Sequence, residues 1–239
     1  TIRESLAVLR EAYGAEVDIE FAVNLHPEGR YEINLLQCRT FQVRPPSERD
    51  DAPGENREFE ASPEGGGEVL LESRGPLIGH GRVTEIDRII YVPIDRYEKL
   101  PDRERYGLAR RIGEMLRSIE AGERLLLIGP GRWGTSTPSL GIPVSFSEIG
   151  AAEIICEVEA SQRGLTPDLS LGTHFFNDLV ESNILYVACP RGSRVDHNRL
   201  EALATGLEGA ITVVQAPPGG RLLAVGSSGE QRFRLLTLL

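Results

Sequence analysis

The sequence predicts a mixed α/β protein with two separate domains. Extended and helical patterns alternate along most of the chain, which is typical of mixed sheets covered by helices. The segment 46–67 is rich in Pro, Gly and acidic residues and has too little apolar surface to offset the entropy of ordering. We therefore expect a flexible linker there, between a short first domain at 1–45 and a mixed α/β domain at 68–239.

The first domain is predicted to be a helix followed by a β-hairpin. Apolar residues fall on one face of a helix at 2–13. Strand patterns follow at 17–23 and 33–43, and a turn containing Pro27 and Gly29 lies between them.

The second domain is predicted to contain one long amphipathic helix and a central buried strand. The helix at 102–120 places Leu108, Ile112 and Leu116 on one stripe and its arginines on the other side. The strand at 124–128 is continuously apolar, as expected for the middle of a sheet. The other expected elements are strands at 68–74, 80–94, 151–158, 184–189 and 210–215, and helices at 174–182 and 196–208.

Composition excludes several classes of function. The formal net charge of −10 disfavours a nucleic-acid partner, which would need a basic surface. No apolar run approaches the length of about 20 residues that spans a bilayer. The three widely spaced cysteines form neither a disulfide framework nor a zinc motif, so we expect a cytoplasmic protein. A helical pattern is already under way at Thr1, which suggests a chain cut from a longer protein.

The hairpin brings three functional side chains together if Glu20 lies opposite Gln37. This register places Ile19 and Phe21 on an apolar face, and it places Glu20, Gln37 and Arg39, together with Leu35, on the other face. A carboxylate binds a hard cation through oxygen, and a guanidinium binds phosphate oxygens in a fork. The trio therefore suits a metal–phosphate site, and a solvated face with a cross-strand charge pair is the alternative.

The two strands of the hairpin resemble the closing hairpin of a known nucleotide-binding domain. Residues 18–22 read DIEFA and residues 35–39 read LLQCR, and Thr40 stands where a proline is usual. The pattern is similar to the ATP-binding domain of phosphoenolpyruvate synthase and pyruvate phosphate dikinase, which is ATP-grasp-like. The resemblance covers about residues 13–43.

This resemblance implies an N-terminal remnant of an ATP-grasp-like domain. It implies that Glu20 binds the Mg²⁺ of bound Mg-ATP and that Gln37 and Arg39 contact ATP phosphates. The adenine pocket and the glycine-rich loop of such a domain would lie upstream of Thr1. We therefore expect the site to need upstream domains of the same polypeptide, and 1–45 alone to bind ATP weakly or not at all.

A second motif, GPGRWGTS at 129–136, follows the predicted central strand. It is not a P-loop, because Thr135 occupies the lysine position and the prolines that follow prevent a helix. A glycine-rich turn at the end of a strand can bind an anion through backbone N–H groups. On that interpretation Gly131 supplies an N–H group, Arg132 a guanidinium and Trp133 an apolar wall. A structural turn with Trp133 packed in the core is the equally weighted alternative.

A third candidate is His174, at the predicted start of a helix. Thr173 is expected to cap this helix, and Asp178 and Glu181 share a face with His174. A histidine in a first helical turn can bind phosphate, and together with Asp178 it can bind a metal. A hydrogen-bonded structural histidine is the favoured alternative.

Residues 79–189 resemble the C-terminal region of large bacterial proteins described as phosphoenolpyruvate synthase-like or pyruvate, phosphate dikinase-like. That resemblance implies no chemistry, and no residue is assigned a catalytic role. Two hypotheses follow. The first is a fragment of an ATP-dependent phosphotransferase that is inactive alone, and the second is a non-catalytic module that binds a small anionic metabolite or a partner domain through 129–135 and His174.

Overall fold

The chain divides into two compact units, Thr1–Arg44 and Pro45–Leu239. The computed structural model describes residues 2–13, 17–40, 67–79, 81–120, 122–159, 170 and 174–238. Almost all of the predicted linker, 46–66, lies outside the described residues.

The first unit consists of one helix and one antiparallel hairpin. Helix α1 spans Ile2–Tyr13, and strands β1 (Val17–Leu25) and β2 (Tyr31–Thr40) pair with each other. The turn between the strands is closed by a hydrogen bond from the His26 N–H to the Arg30 carbonyl. Gly29 adopts a φ of 79°, a backbone conformation that glycine reaches without steric cost. The predicted helix and hairpin are therefore confirmed.

The described part of the second unit is mostly strand. Its helices are α2 (Ile94–Tyr97), α3 (Asp102–Arg117), α4 (Phe146–Ile149), α5 (His174–Glu181) and α6 (His197–Ala202). Its strands are β3 (Glu68–Ser73), β4 (Leu77–Ile78), β5 (Arg82–Ile86), β6 (Arg88–Tyr91), β7 (Leu125–Pro130), β8 (Arg132–Trp133), β9 (Gly141–Ile142), β10 (Ile154–Val158), β11 (Leu185–Cys189), β12 (Arg194–Val195), β13 (Ala204–Glu208), β14 (Ile211–Gln215), β15 (Arg221–Ser227) and β16 (Arg232–Leu238).

Two sheets organise this unit. A seven-stranded mixed sheet has the order β13-β14-β6-β7-β10-β11-β4, and its four central strands, β6, β7, β10 and β11, are parallel. A five-stranded antiparallel sheet has the order β12-β3-β16-β15-β5. The parallel strands follow one another in chain order, so consistently right-handed crossovers place their helices on one face.

Side chains that alternate along the central strands build two apolar cores. Leu125, Leu127 and Ile155 point to the core shared with α2, α3, α4 and α5. Leu126, Ile128 and Ile154 point to the core shared with the five-stranded sheet. In the described part of the second unit, α2, α3, α4 and α5 therefore lie on one side of the mixed sheet, and the antiparallel sheet and α6 lie on the other side. The expected mixed α/β class is confirmed.

Most of the predicted elements are present, with two clear errors. The single strand expected at 80–94 is instead two strands, β5 and β6, which belong to different sheets. The helix expected at 196–208 ends at Ala202, and Ala204–Glu208 is instead an edge strand that pairs antiparallel with β14. Gly209, at a φ of 61°, makes the tight turn that joins the two strands. Strands β15 and β16 were not predicted, although they supply two of the five strands of the second sheet.

The described helices are all too short or too polar to cross a bilayer. The longest of them, α3, buries Leu108, Ile112 and Leu116 against the mixed sheet and exposes Arg110 and Arg117. The predicted amphipathic pattern of this helix is confirmed.

Candidate functional site

The hairpin register places the predicted trio along one strand face. Glu20 lies opposite Gln37, and Asp18 lies opposite Arg39. Positions two apart on a strand share a face, so Glu20, Gln37 and Arg39 occupy neighbouring positions of the same face. Glu20 is partly buried and Gln37 is exposed. The side chains of Asp18 and Arg39 lie outside the described residues, so their contacts stay a prediction.

A β-bulge changes the other half of the hairpin. The register shifts between Glu20 and Phe21, so that Phe21 pairs with Leu35 and Leu36 is the extra residue. We expected Leu35 beside the Glu20 face, and this was wrong because the bulge moves Leu35 onto the apolar face. Leu36 is 66% exposed.

The apolar face of the hairpin is open to solvent in the described residues. Phe21, Val23 and Leu35 are all exposed, as is Ile33, which pairs with Val23. Exposed apolar patches of this kind are typical of interaction surfaces.

The residues present fit a magnesium–nucleotide site better than an all-protein metal cage. No group of three or more His, Cys, Asp or Glu side chains in the described ranges is placed to hold a metal ion. Mg²⁺ bound to a nucleotide needs only one or two protein carboxylates, because phosphate oxygens and water molecules supply its other ligands. Glu20 is one such carboxylate, and a magnesium role for it stays a prediction.

The backbone N–H groups of the glycine-rich turn are used inside the protein. Those of Gly131 and Gly134 donate to the carbonyls of Val158 and Ile142. The Arg132 N–H donates to the Leu140 carbonyl, and the Trp133 N–H donates to the carboxylate of Glu157. The prediction that Gly131 and its neighbours present N–H groups to an anion is therefore wrong, because these donors already have acceptors.

Trp133 is a core residue. Its side chain is 0% exposed, and its indole N–H donates to the Cys156 carbonyl. Gly129 permits this packing, because a Cβ atom there would lie 2.8 Å from Cζ2 of Trp133. A ligand therefore has no exposed face of Trp133 on which to stack, and the structural alternative for this turn is the correct one. The Arg132 side chain is partly exposed and takes part in interactions of its own.

The acceptor that fixes this turn is Glu157, which sequence reasoning missed. Its carboxylate is 0% exposed and accepts four hydrogen bonds. The donors are the Trp133 N–H at 2.9 Å, the Ser170 N–H and hydroxyl at 2.6 Å each, and the Tyr186 hydroxyl at 2.7 Å. Glu157 thus joins β10, β11, the turn after β7 and the residue Ser170.

Burial shifts the pKa values of Glu157 and of its partner Tyr186. It raises the pKa of the Glu157 carboxyl above its ordinary value, and the hydrogen bonds from Ser170, Tyr186 and Trp133 oppose the rise. Burial also raises the pKa of the Tyr186 phenol, with the adjacent Glu157 as the next cause. All four donors point at a carboxylate closed off from solvent, so Glu157 acts as a structural anchor.

A sequence signal for Glu157 existed. It is the charged residue within the apolar strand at 154–158, and a charge in a fully buried strand needs a dedicated set of donors. Its partners, Ser170 and Tyr186, are 13 and 29 positions away, so spacing alone does not pair them with Glu157.

His174 is the first residue of α5, as expected, although its side chain lies outside the described residues, as does Thr173. Asp178 and Glu181 are both partly buried and have partners of their own. Phe175 packs edge-to-face against Phe146 at a centroid distance of 6.3 Å, and Leu179 is buried, so this side of the helix faces the core. A ligand role for His174 stays a prediction.

Comparison of the chain with protein-family models, with curated proteins and with solved structures gives no match. The resemblance of the hairpin to an ATP-binding domain therefore depends on its residues and register alone.

All three cysteines are free thiols. Cys156 and Cys189 are buried in the core between the two sheets, and Cys38 is partly buried in the hairpin. Burial raises the pKa of the Cys156 thiol, which keeps it protonated and unreactive. Cys156 and Cys189 therefore act as small apolar core residues.

Proposed function

We propose that the first unit forms part of the Mg-ATP site of an ATP-dependent phosphotransferase similar to phosphoenolpyruvate synthase and pyruvate phosphate dikinase. The observation that carries this proposal is the pairing of Glu20 with Gln37 and of Asp18 with Arg39. It gives one strand face an acid, an amide and a guanidinium in adjacent positions. A random slip of one residue would have separated them.

Each of the three residues has a distinct task at such a site. The Glu20 carboxylate binds the divalent cation, and the Arg39 guanidinium forks onto phosphate oxygens. The Gln37 amide, whose –NH₂ group donates hydrogen bonds, orients a phosphate between them. Bound Mg-ATP supplies the phosphoryl group. The chain's own residues contribute position and charge compensation, which are the main sources of catalysis in phosphoryl transfer.

The same proposal implies that the first unit contacts other domains and that the protein is located in the cytoplasm. The nucleotide site is completed by upstream domains of the same polypeptide, and the exposed apolar face at Phe21 and Leu35 is a surface for such a contact. Three free thiols suit the reducing cytoplasm.

The alternative, a non-catalytic module that binds a small anionic ligand or a partner domain through 129–135 and His174, keeps only His174, whose side chain lies outside the described residues. The N–H groups of Gly131, Arg132, Trp133 and Gly134 already donate to protein acceptors, and the Trp133 ring is buried.

The test is ATP turnover by the full-length protein with Glu20→Gln or Arg39→Ala. We expect each change to lower kcat/KM for ATP at least tenfold, equivalent to about 1.4 kcal/mol of lost transition-state binding. E20Q should also raise the Mg²⁺ concentration needed for half-maximal rate, because the neutral amide is a poorer ligand for a hard cation.

Glu28→Gln and Arg30→Ala are the matched controls, since both residues are exposed at the hairpin turn and each change alters the charge in the same way. The proposal is wrong if the wild-type protein consumes no ATP, or if E20Q and R39A behave like E28Q and R30A.

A further inference from the structure

A cavity of about 310 Å³ opens where the two sheets of the second unit meet. Its walls are the residue after β3, the turn 190–193 that follows β11, and the start of β12. Strand β11 is one of the four parallel strands, so the cavity lies at the carboxyl edge of the mixed sheet.

Three guanidinium groups line this cavity. Arg74, Arg191 and Arg194 are all exposed side chains. Within the described part of the chain, neither Arg74 nor Arg194 pairs with a carboxylate. Arg191 contacts Glu159 at 3.2 Å, a surface pair worth little, which a stronger ligand can replace.

The carboxylate in the cavity wall is already neutralised. Oε1 of Glu72 accepts hydrogen bonds from Nη2 of Arg232 at 2.8 Å and from Nε of Arg234 at 3.2 Å. These two guanidiniums lower the pKa of Glu72, so the carboxyl stays ionised and keeps both arginines occupied. Glu72 therefore does not cancel the charge of Arg74 and Arg194, and the cavity is locally positive on a chain of net charge −10.

The walls of the cavity are fixed by buried hydrogen bonds. The Ser193 hydroxyl donates to Oγ of Ser73, which donates in turn to the Ala188 carbonyl at 2.7 Å. The Gly75 N–H donates to the same Ser73 oxygen at 3.0 Å. A Cβ at Gly75 would lie 2.4 Å from the Ala188 carbonyl oxygen, so glycine is needed for this close approach. The three arginines thus project from backbone that is held in place before a ligand arrives.

We propose that this cavity, which we call the arginine pocket, binds a small phosphorylated metabolite through Arg74, Arg191 and Arg194. A phosphate group is a tetrahedral dianion with enough oxygens to accept several guanidinium forks. The volume is at the lower end of the range for small-molecule sites, about 300–1,000 Å³, and suits a compact ligand.

The arginine pocket is separate from the proposed nucleotide site. It lies in the second unit, whereas Glu20, Gln37 and Arg39 lie in the first. The arginine pocket also differs from the anion site expected from the sequence at 129–135, where the backbone N–H groups of 131–134 donate to protein acceptors.

The test is binding of inorganic phosphate and of pyrophosphate to the full chain, measured by calorimetry and by thermal unfolding against sodium chloride of equal ionic strength. We expect saturable binding and a higher Tm in the wild-type protein. Arg74→Gln and Arg194→Gln should each weaken binding at least tenfold, and the double variant should abolish it. Arg30→Ala, at the exposed hairpin turn of the first unit, should leave binding unchanged.

Arg110→Gln is the matched control, because Arg110 is an exposed arginine on α3 and the charge change is the same. Circular dichroism of each variant without ligand establishes that it is folded. The proposal is overturned if the wild-type protein binds neither anion saturably, or if R110Q weakens binding as much as R74Q. Tighter binding of succinate than of phosphate would assign the pocket to dicarboxylates instead and would also overturn it.

Discussion

At the scale of single residues, the Glu157 carboxylate determines the shape of the turn after β7. It collects donors from Trp133, Ser170 and Tyr186, which lie on three different segments. A buried carboxylate with a full set of donors is tolerated because each lost contact with water is replaced. Glu157 occupies the Trp133 N–H, and backbone carbonyls accept the N–H groups of Gly131, Arg132 and Gly134.

We expect Glu157→Ala to lower the free energy of unfolding by at least about 3 kcal/mol, because it leaves several buried donors without an acceptor. Chemical denaturation of the second unit measures this. Glu159→Ala is the control, since its pair with Arg191 is largely exposed and should cost less than about 1 kcal/mol. Equal losses in the two variants would contradict an anchoring role for Glu157.

The stability contribution of Glu157 should also depend on pH. Its pKa is raised in the folded protein, so the native state binds this proton more tightly than the unfolded chain does. The contribution is therefore full below the ordinary value of 4.5 and falls as the pH rises through the native pKa. The difference in unfolding free energy between wild type and the non-titrating E157Q should shrink over that window. A difference that stays constant from pH 4 to 8 would mean that the pKa is not raised.

At the scale of elements, the hairpin shows what a sequence pattern can and cannot predict. The pairing of Glu20 with Gln37 follows from the alternation of apolar and polar residues, and it is correct. The bulge at Leu36 does not follow from alternation, because one extra residue changes the pairing without changing the composition of either strand. The alternative of a structural turn at Trp133 was also correct. The sequence did not reveal that Glu157 fixes this turn, because the residues that bind Glu157 are distant from it in sequence.

The prediction of secondary structure in the C-terminal part of the second unit failed for a related reason. The segment 204–208 has a weak pattern, and its strand conformation is set by pairing with β14 rather than by its own residues. Strand propensity depends on neighbours, so an edge strand is harder to predict than the buried strand β7, which begins with four consecutive apolar residues at 125–128.

We expect a peptide of residues 1–44 to be largely unfolded in isolation. A two-stranded hairpin with one helix buries little surface, and Phe21, Val23 and Leu35 remain exposed. Circular dichroism of the peptide should show no cooperative melting, whereas residues 67–239, which contain both apolar cores, should melt cooperatively. A sharp thermal transition in the peptide would show that the hairpin needs no covering surface.

At the scale of the whole molecule, stability should be greatest where both faces of the mixed sheet are covered. Strands β7 and β10 are central and contribute to both cores, whereas β13 is an edge strand with alternate residues exposed. Hydrogen exchange read by mass spectrometry should therefore be slowest at 125–130 and 154–158 and much faster at 204–208. Comparable rates in these segments would mean that the second unit opens as one body.

The order of the parallel strands has a consequence for how this scaffold acquires new specificities. The strands β6, β7, β10 and β11 lie side by side in the order of the sequence. These four strands therefore have no reversal of strand order, and such a reversal is what creates a ligand-binding crevice in open α/β sheets. Access to the sheet's carboxyl edge instead lies along the junction with the antiparallel layer, where short connections such as 190–193 change easily. We therefore expect a change of ligand specificity in this architecture to come from substitutions in those connections. The glycine-rich turn should keep its shape, because its N–H groups are hydrogen-bonded inside the protein.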